Sequence, residues 1–177
     1  MEESNRPSVS LCSPPCRGSF PNMSRSPHRP SVLLVEDSDD DAFFFDRALR
    51  RCQVDCEFTR LENGALALDY LKNALASADG FRRPDVVFLD LKLPAFSGFD
   101  ILRWIAEQNV RPPLKVVVLS GSEHQGDMDL ARALGASDYC VKPISPERLG
   151  AEFAPHADAS AGPARDSRFT APREDGA

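Results

Sequence analysis

The chain has 177 residues, enough for one ordinary domain with tails, and its formal net charge is −6. This acidity argues against a nucleic-acid-binding protein, because phosphate backbones attract clusters of Lys and Arg that the chain does not concentrate anywhere. No apolar run approaches the roughly 20 residues that a membrane-spanning helix needs, and the N-terminus has no apolar signal segment. We therefore expect a cytoplasmic protein with protein or small-molecule partners and no membrane association.

The cysteines do not follow the pattern of a metal site. They lack paired C-x-x-C spacing and nearby histidines, and their number is odd. They are Cys12, Cys16, Cys52, Cys56 and Cys140. We expect reduced thiols, as is usual in the cytosol.

Composition divides the chain into a domain and two tails. Residues 1–30 are rich in Ser, Pro, Arg and Asn, and residues 155–177 consist mainly of Ala, Gly, Pro, Asp and Arg, so both are predicted to be disordered. The predicted domain is 31–154. Met23 is a second candidate start of translation, because a short polar leader follows it. Mass spectrometry of the natively expressed protein tests this, and any peptide from before Met23 would contradict it.

Within the domain, short apolar runs typical of strands alternate with longer segments of helical period, which indicates a parallel sheet covered by helices. In chain order we predict strand 32–35, helix 39–51, strand 56–61, helix 65–76, strand 85–89, helix 99–108, strand 115–119, helix 125–134, strand 137–141 and a short helix from Pro146 to about 154. The first, third and fourth strands are almost uninterrupted apolar runs, so we place them in the middle of the sheet. The core stripe of the first helix is predicted to be Phe44, Phe45, Ala48 and Leu49.

Polar residues follow the predicted strands at the edge where open parallel sheets bind ligands. They are Glu36 and Asp37 after the first strand, Asp90 after the third, Ser120 after the fourth and Lys142 after the fifth. Three carboxylates at one edge repel each other and need a cation, and oxygen ligands without His or Cys favour Mg²⁺ or Mn²⁺. This composition indicates a phosphoryl-transfer pocket, in which Asp90 is the nucleophile and Lys142 and Ser120 contact the phosphoryl oxygens.

Each of these residues also has an ordinary structural interpretation. Glu36 and Asp37 fit a solvated loop or helix cap, since the acidic run continues through residues 39–41. We interpret Asp39, Asp40 and Asp41 as first-turn helix acids with no role in the pocket. The other polar residues fit isolated positions at strand ends. Their joint occurrence at successive strand ends favours the phosphoryl-transfer pocket.

Residues 31 to about 153 resemble the receiver domain of bacterial response regulators, including the chemotaxis regulators. The matching stretches are 32–37 (Val-Leu-Leu-Val-Glu-Asp), 86–94 (Val-Val-Phe-Leu-Asp-Leu-Lys-Leu-Pro) with Gly98, 116–120 (Val-Val-Val-Leu-Ser) and 139–143 (Tyr-Cys-Val-Lys-Pro). The spacings agree as well, with 30 residues from Asp90 to Ser120 and 22 from Ser120 to Lys142. The resemblance implies a flavodoxin-like, three-layer α/β fold, with a five-stranded parallel sheet in the order 2-1-3-4-5 and five flanking helices, the last one short.

The resemblance also implies roles for the acidic residues. Asp90 is the expected phosphoacceptor. Glu36, Asp37, Asp90 and the backbone carbonyl of Lys92 are the expected ligands of Mg²⁺. Lys92 occupies a position at which receivers tune hydrolysis of the acyl phosphate, and its side chain could either shield that group from water or help the attack.

The remaining site residues take expected roles from the same resemblance. Ser120 is the switch hydroxyl and Tyr139 the aromatic residue that moves inward behind it. Lys142 binds the phosphoryl group, and its bond to Pro143 is expected to be cis. Gly121 is small and should leave the acceptor open to a donor histidine.

Residues 69–84, with an Ala-Ser-Ala-Asp-Gly loop, resemble a narrower group. These are small single-domain receivers that often partner phytochrome-type or related sensor histidine kinases. The loop also fits an unremarkable insertion. Glu36 stands where many receivers have Asp, and this substitution is common in the narrower group.

We therefore predict a single-domain response regulator of a two-component phosphorelay. It is not an enzyme, it receives its phosphoryl group from a sensor histidine kinase or a phosphotransfer protein, and a downstream protein is a further candidate partner. The alternative is a receiver-fold binding module that works without phosphorylation. A hydrolase with an Asp nucleophile would need a second Asp where this chain has Lys92. The short last helix weakens the usual output and dimer face, so we expect a monomer or a weak homodimer.

Overall fold

Five strands and five helices alternate along residues 29–153, the part of the chain that the computed structural model describes. They are β1 (Ser31–Val35), α1 (Asp39–Arg51), β2 (Glu57–Leu61), α2 (Gly64–Leu75), β3 (Val86–Asp90), α3 (Gly98–Glu107), β4 (Lys115–Ser120), α4 (Gln125–Ala133), β5 (Asp138–Val141) and α5 (Pro146–Ala151). The predicted ends differ from these by at most one residue, except at the end of α5. The predicted tails lie outside the described residues, apart from positions 29 and 30.

The sheet is parallel throughout and has the strand order β2-β1-β3-β4-β5, which confirms the predicted fold. β1, β3 and β4 are its middle strands, and every residue of β1 and β3 is buried. The chain crosses from one side of β1 to the other between β2 and β3. In sheets of this kind the crevice at that reversal, at the carboxyl ends of β1 and β3, is where ligands bind.

Helices cover both faces of the sheet, so each strand contributes to two cores. On one face Leu33 and Leu89 pack with apolar residues of α2, α3 and α4. On the other face Leu34 and Phe88 pack with α1 and α5. This two-sided burial holds the strand ends in place.

The apolar face of α1 differs from the prediction at one residue. Phe45 and Leu49 are buried, whereas Phe44 is 53% exposed, so its assignment to the core stripe was wrong. Successive residues of a helix are separated by about 100° around its axis, and packing of Ala42 and Phe45 against the sheet turns Phe44 outward. Phe43 is 62% exposed, and α1 therefore presents two neighbouring phenylalanines to solvent.

The last helix is short, as predicted, but it ends at Ala151 instead of near residue 154. Lys115, at the start of β4, binds its C-terminal end: the Nζ atom lies 3.0 Å from Oε2 of Glu152 and donates to the Glu152 carbonyl oxygen at 2.7 Å. Phe153 then packs against the core formed with α1. These long-range contacts place the end of the helix.

Two predictions from composition concern residues 29–153 directly. No helix in this range is both long and apolar enough to cross a membrane. Cys52, Cys56 and Cys140 are free thiols, as expected. Cys12 and Cys16 lie outside the described residues.

Candidate functional site

The structure brings the predicted polar residues to one edge of the sheet. Glu36 and Asp37 directly follow β1, and Lys142 directly follows β5. Asp90 and Ser120 are the last residues of β3 and β4, not the residues after them. Because the strands are parallel, their carboxyl ends meet at this edge.

The ammonium group of Lys142 lies at the centre of the site. Its Nζ atom is 2.5 Å from Oε2 of Glu36, 2.9 Å from Oδ2 of Asp41 and 3.0 Å from Oδ2 of Asp90. Burial by itself lowers the pKa of Lys142, but the hydrogen bonds to the three carboxylates outweigh it and hold the pKa above its usual value. Lys142 is therefore a fixed positive charge beside Asp90.

The carboxylates at the ends of β1 and β3 form a candidate metal centre. One oxygen from each of Glu36, Asp37 and Asp90 can be chosen so that all three lie within 4.8 Å of one another. Glu36 is 1% exposed, and burial raises its pKa although Lys142 opposes the rise. The N–H of Lys92 donates to Oδ1 of Asp90 at 3.2 Å.

This donor set fits a hard divalent cation. It consists of oxygens only, it carries more negative charge than Lys142 balances, and its exposed member, Asp37, leaves room for water ligands. These are the properties of Mg²⁺ sites, which use one or two carboxylates with water and phosphate oxygens. The backbone carbonyl of Lys92 stays a predicted further ligand.

Residues 32–154 match the response regulator receiver domain family. The chain belongs to this family. The probable methanogenesis regulatory protein FilR2 of Methanothrix harundinacea is 35% identical over 118 residues, which are 67% of this chain and 75% of that protein. The Mn²⁺-bound form of response regulator Rcp1 has a TM-score of 0.59 and 28% identity, covering 69% of this chain and 87% of that one. The phosphorylated cyanobacterial phytochrome response regulator RcpA has a TM-score of 0.60 and 29% identity, covering 70% and 88%.

In this receiver the two predicted switch residues meet at Ser122, in the loop between β4 and α4. The N–H of Ser122 donates to Oγ of Ser120 at 3.1 Å, and its carbonyl oxygen accepts from the Tyr139 hydroxyl at 2.9 Å. Ser122 Oγ in turn bonds to Asp127 of α4 at 3.1 Å. Ser120 and Tyr139 are thus connected through one residue of the loop.

An opening beside Lys142 is bordered by α1 and the segment after β5. Its lining consists of Glu36, Asp41, Phe44, Phe45, Leu119, Lys142, Pro143 and Ile144. The Lys142–Pro143 peptide bond is cis, as expected. A Cβ atom built at Gly121 would have no atom within 4 Å. The space beside Ser120 is therefore open, as the small size of Gly121 suggested.

Asp41 is a residue of the receiver site that sequence reasoning missed. It is a first-turn acid of α1, as predicted, but the further prediction that it has no role in the pocket was wrong, because its carboxylate binds Lys142. The only signal in the sequence was an acid five positions after Glu36. Which of three consecutive acids faces the pocket depends on how α1 is rotated against the sheet.

Arg60 of β2 is a second missed residue. Its guanidinium group donates to the carbonyl oxygens of Glu36 and Asp37 at 3.1 and 3.3 Å, and to Oδ1 of Asp39 at 2.8 Å. It therefore fixes the turn that carries two of the candidate metal ligands. Arg60 pairs with Leu34 across the sheet, and this register was not visible in the sequence.

Proposed function

We propose that this receiver is a phosphorylation-controlled response regulator that accepts a phosphoryl group on Asp90. One observation carries the proposal: the Asp90 carboxylate belongs to the candidate metal group and also lies 3.0 Å from the Lys142 ammonium. It is thus placed between a site for a divalent cation and a fixed positive charge. Phosphoryl transfer needs this combination, because negative charge on both the nucleophile and the phosphoryl oxygens has to be neutralised.

Each residue of the site has a separate role in the proposed phosphoryl transfer. An oxygen of Asp90 attacks phosphorus and forms an acyl phosphate, while the bond from phosphorus to the donor nitrogen or oxygen breaks and the donor keeps its electron pair. Lys142 and the Ser120 hydroxyl bind the phosphoryl oxygens. Mg²⁺, when bound by Glu36, Asp37 and Asp90, supplies further neutralisation of charge.

The proposed output is a shift between two arrangements of the loop after β4. When the Ser120 hydroxyl turns to the phosphoryl group, it gives up the N–H of Ser122, the residue whose carbonyl also binds Tyr139. Ser122 also contacts α4 through Asp127. Phosphorylation then favours a different surface at α4 for a downstream protein.

We propose a sensor histidine kinase or a phosphotransfer protein as the donor. The exposed phenylalanines of α1 support a protein donor, because Phe44 lines the opening beside Lys142 and the ring of Phe43, 5.8 Å away between centroids, adds to the exposed apolar surface. Similar regulators have been described in a phosphorylated and in a Mn²⁺-bound form, which supports both properties here. We further propose that the protein is a switch and not an enzyme, that it acts in the cytoplasm, and that it is a monomer or a weak homodimer.

The test is covalent labelling of the full chain. Wild-type protein incubated with acetyl phosphate and MgCl₂ is expected to gain the mass of one phosphoryl group, and Asp90→Asn is expected to gain none. Asp69→Asn, at an exposed position of α2, is the matched control and should label like wild type. No adduct on folded wild-type protein, or an adduct that persists in Asp90→Asn, would contradict the proposal. The first result would favour the phosphorylation-independent binding module.

A further inference from the structure

The three carboxylates around Lys142 are not equivalent. An ammonium group has three N–H donors, and Glu36, Asp41 and Asp90 supply one acceptor oxygen for each. Glu36 and Asp90 also belong to the candidate metal group, whereas Asp41 does not. Asp41 comes from α1 and is the only one of the three that lies outside the strand ends.

Lys142 and a divalent cation therefore compete for the same two carboxylates. The second oxygens of these groups are already hydrogen-bonded: Oε1 of Glu36 accepts the N–H of Ser38 at 3.2 Å, and Oδ1 of Asp90 accepts that of Lys92 at 3.2 Å. A cation bound to both carboxylates shares their negative charge with Lys142, and its own charge repels the ammonium. With only 14% of its side chain exposed, Lys142 has little access to water as a substitute partner.

We propose that Asp41 is the positioning residue that keeps the Lys142 ammonium beside Asp90 when Glu36 and Asp90 turn to the cation. Two N–H donors of Lys142 then become available for the phosphoryl oxygens, while the third stays on Asp41. The inference rests on the proposed function of the site. It adds a fourth carboxylate, on a different element, to the machinery of this receiver.

The neighbouring acids of the same helical turn do not share this role. Asp39 binds the guanidinium group of Arg60. Asp40 is exposed, and within residues 29–153 we find no hydrogen bond or ion pair of its side chain. Asp40→Asn therefore removes the same charge from the same helix end without touching Lys142, which makes it the matched control for Asp41→Asn.

Loss of Asp41 has two expected consequences. Without Asp41, Lys142 binds only Glu36 and Asp90 and competes more strongly with the cation. The Mg²⁺ dissociation constant is then expected to rise by about fivefold, which corresponds to the strength of one partly exposed charge-assisted hydrogen bond. The ammonium is also less often placed for transfer, so the maximal rate of labelling by acetyl phosphate falls by about the same factor. Asp40→Asn changes both values by less than about twofold, because the charge of Asp40 is exposed to solvent and screened by it.

The experiment compares full-length wild type, Asp41→Asn, Asp41→Glu and Asp40→Asn. For each protein we would measure the Mg²⁺ dissociation constant of the unphosphorylated form by calorimetry, the maximal rate and half-saturation of acetyl phosphate labelling, and the midpoint of unfolding without Mg²⁺. Asp41→Glu is expected to restore much of the Mg²⁺ affinity and labelling rate, since it keeps the carboxylate. It also provides the comparison if Asp41→Asn fails to fold.

The outcomes separate this inference from the proposed function. Equal values for Asp41→Asn and Asp40→Asn would overturn it, as would a change confined to the unfolding midpoint, which a merely structural role would produce. If wild type takes no label, the proposed function fails. The calorimetric arm still decides on Asp41 in that case, because competition for Glu36 and Asp90 exists without phosphorylation.

Discussion

Gly98 holds the start of α3 against the strand end that carries Asp90. A Cβ atom at this position would lie 2.3 Å from the carbonyl oxygen of Asp90 and 2.8 Å from Cα of Leu91. Both are backbone atoms, so no side-chain rotation could relieve the contact. The glycine of the receiver-like stretch 86–98 is thus required by the close approach of two backbones at Asp90.

Gly98→Ala is expected to lower the free energy of unfolding by about 1–3 kcal/mol, the usual cost of inserting a carbon into a packed site. Because the displaced backbone carries Asp90, the labelling rate with acetyl phosphate should fall as well. The control is Gly150→Ala in α5, where the new Cβ lies 3.8 Å from Sγ of Cys52 and the helix gains from replacing glycine. Chemical denaturation measures the stability of both variants. If Gly98→Ala is as stable as the wild type, the close backbone contact does not require glycine at this position.

Single residues also mark the limit of what the sequence predicts about the site. Asp90, Ser120 and Lys142 were found because strand ends can be located from apolar runs and the ends of parallel strands share an edge. Asp41 was missed because the helix rotation that turns it to Lys142 is decided by the packing of Ala42 and Phe45 against the sheet. The same rotation turned Phe44 outward.

At the scale of elements, α5 shows how a distant contact sets a boundary. The side chain of Glu152 is only 7% exposed and binds both Lys115 of β4 and Arg148 of α5, the second at 3.4 Å. Arg148 also forms an ion pair with Asp138 at the start of β5. The helical spacing of apolar residues predicted a short helix. Its last residue, however, depends on ion pairs with Lys115 of β4 and Asp138 of β5.

Glu152→Gln keeps the shape of the side chain and removes its charge. We expect the free energy of unfolding to fall by about 1–3 kcal/mol, because Lys115 and Arg148 lose a shared, mostly buried carboxylate. Glu107→Gln, at the exposed end of α3, is the matched control and should change stability by less than about 0.5 kcal/mol. Denaturant titration measures the difference.

Glu152 is not part of the group around the proposed acceptor Asp90, so Glu152→Gln should label with acetyl phosphate at the wild-type rate under conditions where it is folded. A large loss of labelling in the folded variant would show that the end of α5 and the acceptor are coupled. That result would contradict a purely structural role of Glu152.

For the whole molecule, the alternation of strands and helices was enough to predict the fold class. The middle strands were also predictable, because strands covered by helices on both faces consist of almost continuous apolar residues. The register of β2 on β1 could not be predicted from the sequence. For that reason the position of Arg60 at the turn after β1 could not be predicted either. The order of the outer strands came from the resemblance to receivers. Pairing between strands depends on long-range contacts that local periodicity does not encode.

The whole fold should respond to Mg²⁺, because the site gathers buried negative charge that only the folded chain brings together. Burial raises the pKa of Glu36, which means that its ionised form is disfavoured in the folded protein. A cation that binds only the folded state relieves this and stabilises by roughly 2.7 kcal/mol at a hundredfold excess over its dissociation constant. We therefore expect MgCl₂ to raise the midpoint of chemical denaturation above that in NaCl of equal ionic strength.

Asp37→Asn separates metal binding from general screening. Asp37 is exposed and belongs to the candidate metal group. Lys142 does not bind it but binds Glu36, Asp41 and Asp90. The variant therefore removes one candidate ligand and leaves the ion pairs of Lys142 in place. The stabilisation by Mg²⁺ should shrink while that by NaCl stays unchanged. If Mg²⁺ and NaCl stabilise the wild type equally, the acidic group is a screened cluster and not a metal centre. Arg60 would then fix the turn after β1 for structural reasons alone.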